Sequence, residues 1–189
     1  MLAGSIYDTA NSSSNRLTGL LACCNETATT AFAGLAESTN GQWEGKLTST
    51  TEAISLAVLR TMATTAKLRD GNGGKPNLLV MTETLYNVVA DLLQIQQRFT
   101  DSKATVDAGF TGLAFEGKDI FPDDYCPSGY AFALNTMHIG FAVHKDGYFV
   151  RSPWKVIPGS PEDKTMKIYA DMNMIVNDRR AQIGHSNLS

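Results

Sequence analysis

Between residues 49 and 93 the apolar positions form two helical stripes separated by one short continuous run. Leu56, Leu59, Met62, Ala63 and Ala66 recur at three- and four-residue intervals, which places them on one side of a helix. Ser49 and Glu52 have the spacing of a capping box, in which a hydroxyl and a carboxylate satisfy a helix's first free amides. A helix is therefore predicted from Ser49 until Asp70 and the run GNGG end it. Leu78, Leu79, Val80 and Met81 are apolar without alternation, as expected for a strand covered on both faces. Leu85, Val88, Val89, Leu92 and Leu93 then share one face of a second helix, capped by Thr82 or Thr84 and lying on the same sheet.

Further along, the period shortens. LAFEGKDIF, YAFALNT and HIGFAVH read as short strands, PDDYCPSG separates two of them, and KDG predicts a hairpin turn before YFVR. Ile168, Ala170, Met172, Met174 and Val176 alternate with Lys167, Tyr169, Asp171, Asn173 and Ile175, which predicts one long half-buried strand. The first forty residues are rich in Ser, Thr, Asn, Gly and Ala, and only LTGLLACC offers a short strand there. Helical and strand segments are segregated along the chain, which argues an α+β fold.

Composition narrows the function. A chain of 189 residues, 43% hydrophobic, buries one substantial core or two small ones. Sixteen basic against nineteen acidic side chains leave a net charge of -3, so there is no broad cationic surface to neutralise a nucleic-acid backbone. The apolar runs stop well short of the roughly 20 residues that span a bilayer, so no membrane partner is expected. Cys23, Cys24 and Cys126 are too few and too oddly spaced for a disulfide framework and are expected to be free thiols.

Each candidate chemistry has a duller and better-supported counterpart. A phosphate cradle needs glycines at the strand-to-helix junction, but MTETLY has none; the glycines of DGNGGKP precede the strand and suit a helix C-cap. His138 and His144 share strand parity but lie about 20 Å apart at ~3.3 Å per residue, too far to chelate one ion. Asp123 and Asp124 point to opposite sides of an extended backbone, and Cys23 and Cys24 have no local base. No catalytic residue, metal ligand or cofactor is assigned. What remains is QQRFTDSK, which sets Arg98 and Phe99 in a loop, and NDRRAQ, which carries two arginines at the end of the long strand.

The order of these segments resembles the major capsid proteins of tailed bacteriophages, with the Hong Kong 97-type fold. The resemblance covers nearly the whole chain. It rests on RLTGL after a Gly/Ser/Asn-rich lead, a long helix, PNLLVMTETLYN, LLQIQQRFTD, GFTGLAFEGKDIFPDDYCPSGYAFALNT, and a terminal strand ending NDRRAQIGHSN. It implies an axial domain over residues 46–136, a central sheet flanked by helices, with a lead-in and peripheral-domain remnant over 1–45 and strands returning to the peripheral domain over 137–189. It also implies no enzymatic activity. The function it implies is that of a self-assembling coat protein of a phage or prophage head, present in the virion and assembled in the host cytoplasm. Its implied partners are copies of itself in pentameric and hexameric capsomers, with scaffold and portal proteins and no specific nucleic-acid sequence. Under it, Gln97, Arg98, Phe99 and Asp101 occupy an exposed loop near neighbouring subunits, and Asp178, Arg179 and Arg180 pair across subunits. Family members carry an N-terminal arm, an extended loop and a spine helix ahead of the TGL segment. The chain lacks that pattern, so it is expected to be monomeric or a small oligomer in dilute solution. An encapsulin-like nanocompartment shell shares the same fold and is the alternative; a small ligand-binding α/β domain is a more distant one.

Overall fold

The computed structural model describes residues 6–7, 17–25, 32–36, 38–41, 43–66, 75–97 and 113–189. About half of the lead-in, and the loop carrying Arg98, Phe99 and Asp101, lie outside these residues.

Six strands form the central sheet: β1 (Lys46–Thr48), β2 (Leu78–Met81), β3 (Leu113–Phe115), β4 (Lys118–Pro122), β5 (Ala131–Leu134) and β12 (Ile183–His185), in the order β1-β12-β5-β2-β4-β3. The sheet is mixed. β1 runs parallel to β12 and β2 parallel to β4, and the other neighbours are antiparallel. β2 is central, with Leu79 between Ala133 and Ile120. Its unbroken apolar run follows from cover on both sides. Leu79 and Met81 face a core shared with α2 (Leu56–Thr65) and α3 (Glu83–Gln97). Val80 faces a second core built from Phe132, Leu134 and α1 (Leu20–Cys24). This is the α+β arrangement of a central sheet flanked by helices that the sequence predicts.

Three local expectations change. α2 starts at Leu56, with the Ser55 hydroxyl accepting from Val58 N at 3.3 Å, not at Ser49. The chain before it is already used: β1 pairs with β12, Glu52 bridges to Leu188, and Ile54 N donates to Ser189 O. Long-range pairing thus outcompetes the capping-box spacing. LTGLLACC folds as the helix α1 and not as a strand, because so short an apolar run can bury Leu20, Ala22, Cys23 and Cys24 together in either conformation. On α3, Leu85 and Val89 are buried as expected, but Val88 is left exposed at the margin of the stripe.

The hairpin of β3 and β4 turns at Glu116 and Gly117, both with positive φ (50° and 76°), the backbone that a two-residue turn needs to match strand twist.

Residues 139–176 form a second architecture. β6 (Ile139–Val143) pairs with β11 (Met172–Val176), β7 (Val150–Arg151) with β10 (Ile168–Tyr169), and β8 (Lys155–Ile157) with β9 (Ser160–Thr165), all antiparallel. His144 N to Asp171 O, Asp171 N to Gly147 O and Ser152 N to Lys167 O link the first two pairs and extend the second. The three pairs are therefore nested sections of one two-stranded ribbon that turns at Pro158 and Gly159. The KDG segment turns, but it does not fold β6 onto β7; it is an excursion in a ribbon strand that continues onward. Gly147 is needed there because a Cβ would come within 2.9 Å of the Asp171 side chain. The long terminal strand is likewise broken between β10 and β11. Among the described residues, the ribbon is anchored at its base, through Met174, Ile139 and Val176 against the second core.

Candidate functional site

The residues singled out in the sequence separate in the structure. Gln97 is the last residue of α3, and Arg98, Phe99 and Asp101 lie outside the described residues. Asp178 caps a single 3-10 turn over Arg179–Ala181, its Oδ1 accepting from Arg180 N at 2.9 Å. Arg180 is half-buried. Arg179 is 1% exposed, and its position corrects the expectation of a contact across subunits. Its guanidinium donates to the carbonyls of Cys23 and Asn25, to Ala22 O at 3.3 Å and to Trp43 O at 3.2 Å. It also lies over the Phe32 ring, 5.2 Å from the centroid. The planar fork of donors suits carbonyls converging from several directions, so this one side chain holds the end of α1 and the approach to β1 against the C-terminal turn.

Two other buried polar groups are also committed internally. The Gln182 amide accepts from Asn135 N at 2.9 Å and donates to Asn135 O at 3.2 Å, so a side chain replaces a missing ladder partner at the end of β5. His185, 2% exposed, has Nε2 on Glu52 Oε1 at 2.9 Å and Nδ1 on Ser186 O at 2.8 Å. Both ring nitrogens are occupied, which leaves none to activate a hydroxyl. A cleft of about 240 Å³ opens beside this pair, lined by Thr48, Glu52, Ser55, Thr61 and Thr65. The Thr61 and Thr65 hydroxyls donate to the α2 carbonyls of Ala57 and Thr61, and Ser55 caps the helix, so these three groups serve the helix.

The thiols of Cys23, Cys24 and Cys126 are free and buried. The Cys24 thiol is pushed up by the hydrogen bond with Cys23 and by burial, and Cys126 is pushed up to about 12 by burial and the charge of Asp123. Neither is a thiolate at neutral pH. The Tyr7 phenol, raised by burial and by its hydrogen bond to Asp123, ties the N-terminal segment to the loop after β4. Among the described residues no group of three or more His, Cys, Asp or Glu side chains is placed to hold a metal ion. No described helix is long and apolar enough to cross a membrane.

The ribbon, by contrast, presents chemistry outward. Trp154 is 65% exposed, Tyr148 63% and Phe149 53%, and the paired strands around them are exposed on nearly every residue. Singly exposed apolar residues are ordinary, but a run of them along one two-stranded element is a patch.

This mixed sheet, with helices on one side, a short helix on the other and a β ribbon between β5 and β12, matches capsid chains of the Hong Kong 97-type fold. The chain superposes on a chain of the cyanophage A-1(L) capsid asymmetric unit with a TM-score of 0.71 at 15% identity, covering 97% of this chain and 64% of that one. It also matches a chain from the capsid of an empty GTA particle with a TM-score of 0.50 at 14% identity, over 93% of this chain and 57% of that one. The chain thus spans less than two thirds of the length of either. No protein-family model and no curated protein matches the sequence.

Proposed function

We propose that the protein is a shell subunit, the coat protein of a phage-type or related particle, and that its work is self-association and not catalysis. The observation that carries this reading is the superposition of 97% of the chain on a cyanophage capsid chain. The interior supports it: Arg179, Gln182 and His185 spend their polar groups inside the fold, while apolar side chains are displayed on the ribbon. Residues 46–136 would form the axial part of the capsomer and residues 137–189 the peripheral strands, with β12 returning to the axial sheet. Gln97, Arg98, Phe99 and Asp101 would meet neighbouring subunits in capsomers of five and six, and Asp178 and Arg180 would do so at the ribbon's foot. Scaffold and portal proteins would be further partners and the virion the location.

Native mass spectrometry and negative-stain microscopy over a concentration series test this. Rings of five or six subunits, or closed particles, are the expected products at high concentration. A chain that stays monomeric throughout and is stabilised instead by a nucleotide or metal ion in a thermal-shift screen would overturn it. If particles form, their contents separate a phage head from a nanocompartment, DNA in the first and cargo protein in the second.

A further inference from the structure

The ribbon's distal half is poorly supported by its own chain. Beyond their partner strands, β7 to β10 make only sparse contact with the rest of the molecule, and a two-stranded element alone is marginally stable in water. Yet it carries Tyr148, Phe149, Trp154 and Tyr169, each between 45% and 65% exposed. At roughly 200 Å² per aromatic side chain, these four leave about 450 Å² of apolar surface in water. That equals the apolar share of the ~800 Å² that each partner contributes to a standard interface.

Charge along the ribbon indicates what covers it. Arg151 and Lys167 lie at one level, since Arg151 pairs with Ile168 and Ser152 N donates to Lys167 O. Glu162 and Asp163 lie nearer the tip, beyond the pair Val156–Lys164. All four are exposed, and among the described residues none of them is in an ion pair. Trp154 sits midway between the basic and the acidic level.

We propose that the distal ribbon docks on the same ribbon of a second copy of this chain, antiparallel about a two-fold axis beside Trp154. This rests on the shell reading and names one copy-to-copy surface within it. Glu162 and Asp163, adjacent on β9, face opposite sides of the ribbon, and so do Lys167 and the Arg151–Ile168 pair. The two-fold therefore sets one base of each copy opposite one acid of the other, and the docking face is self-complementary in charge as well as apolar at its centre. Lys155 and Lys164, nearer the axis, have stems long enough to carry their ammonium groups out to solvent.

The test is sedimentation velocity of the full chain, as wild type and as two charge-reversed variants, E162K/D163K and R151E/K167E. Each variant places like charges across the axis, and its self-association is expected to weaken about 10-fold or more. An equimolar mixture is expected to recover wild-type association, because at the four exchanged positions an all-basic set then meets an all-acidic one; a folding defect would not be repaired by mixing. Variants that associate like wild type, or a mixture that stays dissociated, overturn the proposal. So does a wild-type chain that remains monomeric, which would assign the ribbon to a partner of different sequence. Microscopy of the same samples separates this from the shell reading. Particles that form regardless of the charge reversals leave the shell standing and remove the ribbon contact. Dimers rescued by mixing without any particles do the opposite.

Discussion

Replacing Arg179 with alanine removes a donor set that four carbonyls depend on, those of Ala22, Cys23, Asn25 and Trp43. A buried acceptor left without a partner costs about 1 kcal/mol or more, so these four, two of them buried and two part-buried, give about 3–4 kcal/mol before any cavity is counted. That falls within the ~3–5 kcal/mol seen when one member of a buried charged set is removed. Against a total stability of roughly 5–15 kcal/mol, the variant should be only marginally folded. Urea unfolding is the assay, followed by tryptophan fluorescence, which reports on Trp43 beside the guanidinium. With a slope of ~2–3 kcal/mol/M, the midpoint should fall by about 1.5–2 M. R179M, which keeps most of the bulk and none of the donors, should lose nearly as much. Arg60, whose side chain is 58% exposed in its pair with Glu116, is the internal control, and R60A should leave the midpoint almost unmoved. If R179A unfolds at the wild-type midpoint, the internal clamp is wrong and Arg179 returns to the surface.

Two further outcomes follow from neighbouring features. Gly45→Ala should destabilise by about 2 kcal/mol or more, read in the same urea titration, because its Cβ would come within 2.8 Å of two backbone carbonyl oxygens and 2.7 Å of Arg179 Nη2, and the carbonyls cannot step aside. Cys126, whose thiol is raised from 9 to about 12 in the folded chain, stabilises the fold fully below pH 9, and that contribution is lost as pH rises from 9 towards 12. The urea midpoint of the wild type should therefore drop more steeply between pH 8.5 and 10.5 than that of C126A, and equal slopes would remove Cys126 as a cause.

What the sequence discloses and what it hides divides by distance along the chain. β2 and α3 are legible because their periodicity is local, whereas LAFEGKDIF, which reads as one strand, folds back at Glu116 and Gly117 as the β3–β4 hairpin. The start of α2 is not, since its outcome depends on residues 183–189 pairing with residues 46–54. The ribbon shows the same limit: each strand can be read, but the nesting of 139 with 176 and 156 with 164 cannot. Among the candidate contacts, Arg179 and Arg180 are indistinguishable as letters, and only carbonyls from residues 22–43 decide which is buried. The exposed aromatic residues of 148–154 are apolar letters that do not by themselves say whether they face a core or solvent.

β12 lies between β1 and β5, although it is made after both and after the entire ribbon. During synthesis, then, β1 has no neighbour to hold it, and the platform stays open until residues 183–185 leave the ribosome. The ribbon emerges earlier and waits, sticky, on an unfinished base. Closure of the central sheet is thus set by the strand made after the other five of that sheet.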